Sequence, residues 1–221
     1  DGQITREDVD TEATLYGVWA EADGQVFAVG GDVDTDTGEI WTRIDGTWSL
    51  FAGGLEGVAF KIWQSWVVGN QMAWYLAGET AAEMVSRPPG ERLLTVRGAN
   101  NDDVWAVGGT SSAVVLHWHD GAWENVDPTG LSLPLMGVWT DEGEDVWVSG
   151  MSGTQGYRNE HAYSWSIPDF PLSAEHFHAV WEHEDHVYFL GGNMMASEGP
   201  WVGSILRYGE DIAAAEIVDC D

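Results

Sequence analysis

Three stretches of the 221-residue chain carry side chains whose types and spacing could do chemistry. In Asp32-Val33-Asp34-Thr35-Asp36-Thr37-Gly38-Glu39, the carboxylates of Asp32, Asp34 and Asp36 alternate ahead of a glycine, a run of hard oxygen ligands that suits Ca²⁺. The glycine comes one position later than in a helix-loop-helix calcium loop and no bidentate Glu follows at the expected distance. The run therefore reads either as a calcium site or as a solvated acidic hairpin. The second stretch, Tyr157-Arg158-Asn159-Glu160-His161, and the third, with Met194, Met195 and Trp201, set aromatic and sulfur groups beside polar ones. Sugar rings and peptide segments are held in this way, by stacking on apolar faces and bonding at polar edges. Packing of the same aromatics back over the protein is the alternative.

Histidines gather as His117 with His119 and as His176, His178, His183 and His186. Alternate strand positions face the same way, so either close pair could offer two imidazoles to Zn²⁺ or Cu²⁺. No third ligand follows at a diagnostic spacing, which leaves surface histidines as the plainer reading. No nucleophile elbow, phosphate loop or dinucleotide fingerprint is present. A pair of carboxylates for glycoside hydrolysis could be drawn from so many acids, but their number alone singles out none.

Lys and Arg number 8 against 37 Asp and Glu, a formal net charge of −29. Such a field repels phosphate backbones and anionic lipid, so nucleic acid is not an expected partner and membrane insertion is not expected. The lone cysteine, Cys220, cannot form a disulfide within the chain. An opening on Asp1 rather than methionine carries the expectation of a trimmed chain or of a mature form that has lost a targeting segment, secreted or held at the cell surface or in the periplasm.

The elements that must position these groups recur. One column of short strands reads Val26-Phe27-Ala28-Val29-Gly30, Ser65-Trp66-Val67-Val68-Gly69, Val104-Trp105-Ala106-Val107-Gly108, Val146-Trp147-Val148-Ser149-Gly150 and Val187-Tyr188-Phe189-Leu190-Gly191. The closing glycines at 30, 69, 108, 150 and 191 lie 39, 39, 42 and 41 residues apart, a period typical of repeat architectures. An upstream column begins at Leu15, Leu55, Leu93, Leu135 and Phe177, and four of its members end in Trp19, Arg97, Trp139 and Trp181. Third strands are predicted at 39–44, 114–119, 161–166 and 203–208, with long connections at 32–38, 151–160 and 193–202. Asp45-Gly46 and Asp120-Gly121 mark tight hairpins into a fourth strand. The second repeat is the most divergent, its outer strands predicted near 72–76 and 83–86.

Four strands per unit with no helical period predict an all-β fold, a five-bladed β-propeller of four-stranded blades, in which each blade buries its faces against its neighbours. A β-sandwich or a piece of a larger ring is the alternative. Residues 1–13 form a tail or a closing strand, and 14–221 form one propeller with repeats at 14–54, 55–91, 92–133, 134–175 and 176–221.

The repeat consensus, Leu-x-Gly-Val-Trp followed by Asp-Val-Trp-Ala-Val-Gly-Gly and a Leu-His-Trp-His-Asp-Gly-x-Trp hairpin, is clearest over residues 93–126. It resembles the tryptophan-rich propeller repeats of bacterial surface and secreted proteins, and distantly the Asp-box repeats of sialidase-like propellers. Only the hairpins at Asp45 to Trp48 and Asp120 to Trp123 carry the Asp-box likeness, without its spacer residues or preceding Ser. The resemblance implies the fold. The enzymes' catalytic set does not carry over, because the seven arginines here are scattered from Arg6 to Arg207. The expected function is a non-catalytic extracellular binding module whose long-loop face engages a saccharide, a peptide or a partner protein. A carbohydrate-active hydrolase or lyase is the alternative, and a metal-stabilised structural domain the third reading.

Overall fold

A computed structural model describes residues 4–70, 72–78, 81–85, 90, 92–141, 145–159, 165, 175–193, 199 and 201–209. The chain is all-β, with five antiparallel sheets laid down in sequence order. The first comprises β1 (Thr14–Ala20), β2 (Val26–Asp32), β3 (Thr37–Ile44) and β4 (Thr47–Glu56). The second comprises β5 (Ala59–Trp63), β6 (Trp66–Gly69), β7 (Ala73–Ala77) and β8 (Ala81–Val85). In the third, β9 (Leu93–Asn100), β10 (Asp103–Gly108), β11 (Val114–His119) and β12 (Ala122–Asn125) follow one another. Three strands of the fourth, β13 (Leu135–Asp141), β14 (Asp145–Gly150) and β15 (Gln155–Asn159), and three of the fifth, β16 (His176–His183), β17 (His186–Gly192) and β18 (Gly203–Gly209), lie among the described residues. No helix there is long and apolar enough to cross a membrane.

The repeated glycine has a steric cause. At each sheet's first hairpin the inner strand or its partner shifts register near this residue. The shift brings a carbonyl oxygen to where a Cβ would stand: Thr14 O at Gly30, Val58 O at Gly69, Arg92 O at Gly108, Pro134 O at Gly150 and His176 O at Gly191. Only glycine fits all five. Gly17 and Gly137 serve a second closeness, since a Cβ on either would press on the backbone of the next sheet's inner strand, at Lys61 and Ala179.

The aromatic of the second column packs between sheets, as a wedge would. Phe27 shares a buried cluster with Ile62 and Trp74 of the second sheet, and Trp66 one with Leu93 and Val96 of the third. Trp105 joins Leu135 and Val138 of the fourth, and Trp147 joins Phe177 and Val180 of the fifth. Four interfaces thus repeat one contact. The contact is not packed from the fifth sheet back to the first among the described residues, as equivalent positions reveal. Ile62, Val96, Val138 and Val180 are at most 6% exposed, whereas Val18 is 64% exposed. Val29, Val68, Val107 and Ser149 are 0% exposed, whereas Leu190 is 52% exposed. Along the outer half of the first sheet the N-terminal segment lies instead, Glu7 bonding Arg43 and Trp48 and Thr11 bonding Glu39.

Two sequence expectations require correction. Leu55 to Ala59 is not the inner strand of the second repeat: Leu55 and Glu56 end β4, and the inner strand is β5, four residues later. The cause is that the hairpin at Gln64 and Ser65, with Gln64 at φ 46°, follows directly on Trp63, whereas the other inner strands run on past the equivalent Trp19, Arg97, Trp139 and Trp181 before turning. In the fourth repeat the third strand is β15, so 151–160 is not one long loop. A 3₁₀ turn at Met151–Gly153, with Ser152 at φ 50° and Gly153 at φ 76°, reverses the chain at once. Of 161–166 only Trp165 is described; it is buried with its ring edge-on to Trp105. The strands predicted at 114–119 and 203–208, and the Asp-Gly hairpins with both residues at positive φ, are as expected.

Candidate functional site

Five residues in the second half of the inner strands form one level, a belt. Trp19, Trp63, Arg97, Trp139 and Trp181 pair across their hairpins with Phe27, Trp66, Trp105, Trp147 and Tyr188 respectively. Each belt residue therefore stands opposite an aromatic of the second strand of its own sheet. Residues from all five inner strands line one cavity of about 570 Å³. Trp19 and Trp63 lie 6.2 Å apart, and Trp139 and Trp181 4.1 Å, centroid to centroid. The Arg97 guanidinium carbon sits 3.9 Å from the centre of Trp139 and 5.6 Å from that of Trp181. Trp63 and Trp139 are buried as packing, while Trp181 is 55% exposed and offers a free face.

The cavity's polar groups are few. Arg97 Nε and His178 Nε2 are both buried without a hydrogen-bond partner. Burial draws Arg97 below the ordinary arginine value, with Asp141 acting the other way. Burial likewise lowers His178, reinforced by neighbouring His176. Beyond Trp181 the Glu182 carboxyl is held above the ordinary carboxylate range by partial burial and by the charges of Asp145 and Asp141. Tyr157 donates to Asp145 Oδ1 at 2.9 Å, and burial together with that carboxylate raises its phenol.

A second cleft of about 380 Å³ lies where the third and fourth sheets meet, and Arg158, Asn159, Trp105, His117, His119 and Glu124 line it. His117 stacks flat on Trp105 at 4.0 Å and holds Asp103 Oδ1 at 2.7 Å; His119 holds Glu124 at 3.2 Å. The paired imidazoles are thus taken up by protein partners.

Of the residues expected from sequence to bind a ligand, Tyr157, Arg158 and Asn159 stand in β15 rather than in a loop. Arg158 and Asn159 face the second cleft. Glu160, His161, Met194 and Met195 lie outside the described residues. Trp201 is 70% exposed, next to the point where Asn193 and Val202 join by two hydrogen bonds. Asp32, Asp34 and Asp36 belong to a tight turn closed by the Asp32–Thr37 pair. There Asp32 accepts from the Asp34 amide at 2.8 Å and Asp36 from Asn70 at 2.7 Å. The Asp34 amide, with the Thr35 hydroxyl and amide, holds Asp32 below the usual carboxylate value. Among the described residues no three acids, histidines or cysteines converge as a metal would need.

The belt was the feature least visible in the sequence. Trp63 stands four residues out of the expected alignment, and Arg97 reads as an exception to a tryptophan column until the sheets place it at the same level. No family model matches the chain, and no curated protein matches it in sequence.

Proposed function

We propose that this chain is a non-catalytic, extracellular binding module built from five propeller-type blades. Its ligand, a saccharide, a peptide or a segment of a partner protein, enters the cavity bordered by the inner strands. The observation that carries this reading is the belt: four tryptophans and one arginine, one from each sheet, around one cavity. Aromatic faces supply contact area at low cost in side-chain freedom, and a few polar groups among them orient what they hold. The rigid sheets behind fix those faces before any ligand arrives, which favours binding.

Titration of a panel of oligosaccharides and short peptides, followed by tryptophan fluorescence, tests the reading. At least one class is expected to perturb the signal saturably, and Trp181→Ala is expected to weaken that binding about tenfold with the melting temperature unchanged. Binding that ignores Trp181→Ala, or no binding across the panel, overturns it.

A carbohydrate-active hydrolase is the second reading, favoured by Glu182. A carboxyl raised above its ordinary value by burial and by neighbouring acids has the tuning a general acid needs. Turnover of a bound oligosaccharide that Glu182→Gln abolishes supports it; bound sugars recovered intact after prolonged incubation dispose of it.

A further inference from the structure

Resting on the cavity reading above, we infer that Arg97 makes this cavity selective for a ligand carrying a carboxylate. The group is the one belt position where an aromatic gives way to a cation. Acids outnumber bases 37 to 8 in this chain, yet among the described residues no carboxylate comes within ion-pairing distance of Arg97, and its Nε is buried with no partner. Asp141 acts on it only through space. An arginine so placed bears a desolvation cost that none of the described residues offsets through hydrogen bonds to Nε.

What holds the guanidinium is a surface, not an anion. Its carbon rests 3.9 Å from the centre of the Trp139 ring. A guanidinium stacked on an indole keeps its edge donors directed outward, and that planar fork matches the two oxygens of a carboxylate. His178 Nε2, like Trp139 Nε1 a further buried nitrogen of the cavity wall without a partner, adds a polar contact for a hydroxyl or amide of the same molecule. Trp181, half exposed beside Arg97, offers a face against which the ligand's apolar side can lie. The site thus takes a small acid with a flat or apolar flank. The surrounding field, with a net charge of −29, opposes anions generally, so any preference for an acid over its neutral counterpart must arise locally.

A carboxylate of this kind belongs to an acidic sugar or to the free end of a peptide, and paired probes separate them. Calorimetric titrations compare glucuronate with glucose, and an aromatic tripeptide acid with its amide, against the whole chain and its Arg97→Gln and Arg97→Lys variants. One acid is expected to bind about tenfold to a hundredfold more tightly than its neutral partner, the worth of a charge-assisted pair. Arg97→Gln is expected to erase that ratio, and Arg97→Lys to restore only part of it. A circular-dichroism melt matching the unaltered chain establishes that the variants are folded. Should Arg97→Gln fail to fold, the acid-to-neutral ratio in Arg97→Lys decides alone: an undiminished ratio overturns the inference. Equal affinities for acid and neutral forms, or an acid preference that survives Arg97→Gln, overturn it while the cavity remains a binding site. No binding by any probe, with no response of tryptophan fluorescence, overturns it together with the reading it rests on.

Discussion

Single side chains bear very different weights here, because the wedge aromatics are enclosed and the turn acids are not. Trp66 is buried against Trp118, Trp123 and Tyr75, and its indole donates to Asn101 O at 3.0 Å. Trp66→Ala removes both the packing and that bond, and should lower unfolding free energy by about 3–5 kcal/mol in a urea titration. Two titrations act with opposite signs. Burial holds His117 below the ordinary histidine value against the pull of Asp103. The folded chain thus takes up that proton less readily than the unfolded one, and the contribution to stability is whole above the ordinary value and lost as pH falls through the folded one. The urea midpoint should drop more between pH 7 and pH 5 in the wild type than in His117→Gln. Glu182 is raised, so its contribution is present below the ordinary carboxylate range and lost as pH climbs through the folded value. Glu182→Gln should therefore stabilise the protein at pH 7 and lose that advantage near pH 4.

Within each sheet the first hairpin depends on a residue with no side chain. Gly30→Ala sets a methyl group on Thr14 O, so strand or bulge must move; the expected loss is about 1–3 kcal/mol. Gly24→Ala, in a turn at φ 94° with nothing within 4 Å, should cost roughly 1 kcal/mol, the backbone contribution alone. Denaturant titrations of the two variants separate crowding from conformation. This glycine is also what made the sheets legible: its period, with an aromatic three residues ahead, locates the second strand of every sheet. The tight Asp-Gly hairpins were equally plain, since their positive φ values favour those two residues. Legibility ended where a turn fell at a different place along the strands. The two-residue turn at Gln64 displaced the second inner strand, and the 3₁₀ turn after Gly150 hid the start of β15 behind residues that read as loop. The candidate site was harder still, because its members are some forty residues apart and share a level only after the sheets have assembled.

Across the whole molecule the decisive pattern is nearest-neighbour packing, one interface repeated four times. Position in the row should then govern the cost of equal truncations. Ile62→Ala, at a buried interface, should lose about 2–5 kcal/mol, whereas Val18→Ala, at the equivalent but exposed place, should change stability by less than about 0.5 kcal/mol. Thermal melts of the pair check this directly. The bare faces at Val18 and Leu190 also bear on how the fold comes apart. Sheets whose wedge contacts, among the described residues, join consecutive members behave as a linear chain of units, each terminal unit secured on one side. Amide exchange should be fastest in the first and last sheets and slowest in the middle ones, with unravelling that begins at the ends and runs inward. Because strands from every sheet border the cavity, a molecule seated there would touch the first and last sheets together and bridge two faces that no wedge contact joins among the described residues.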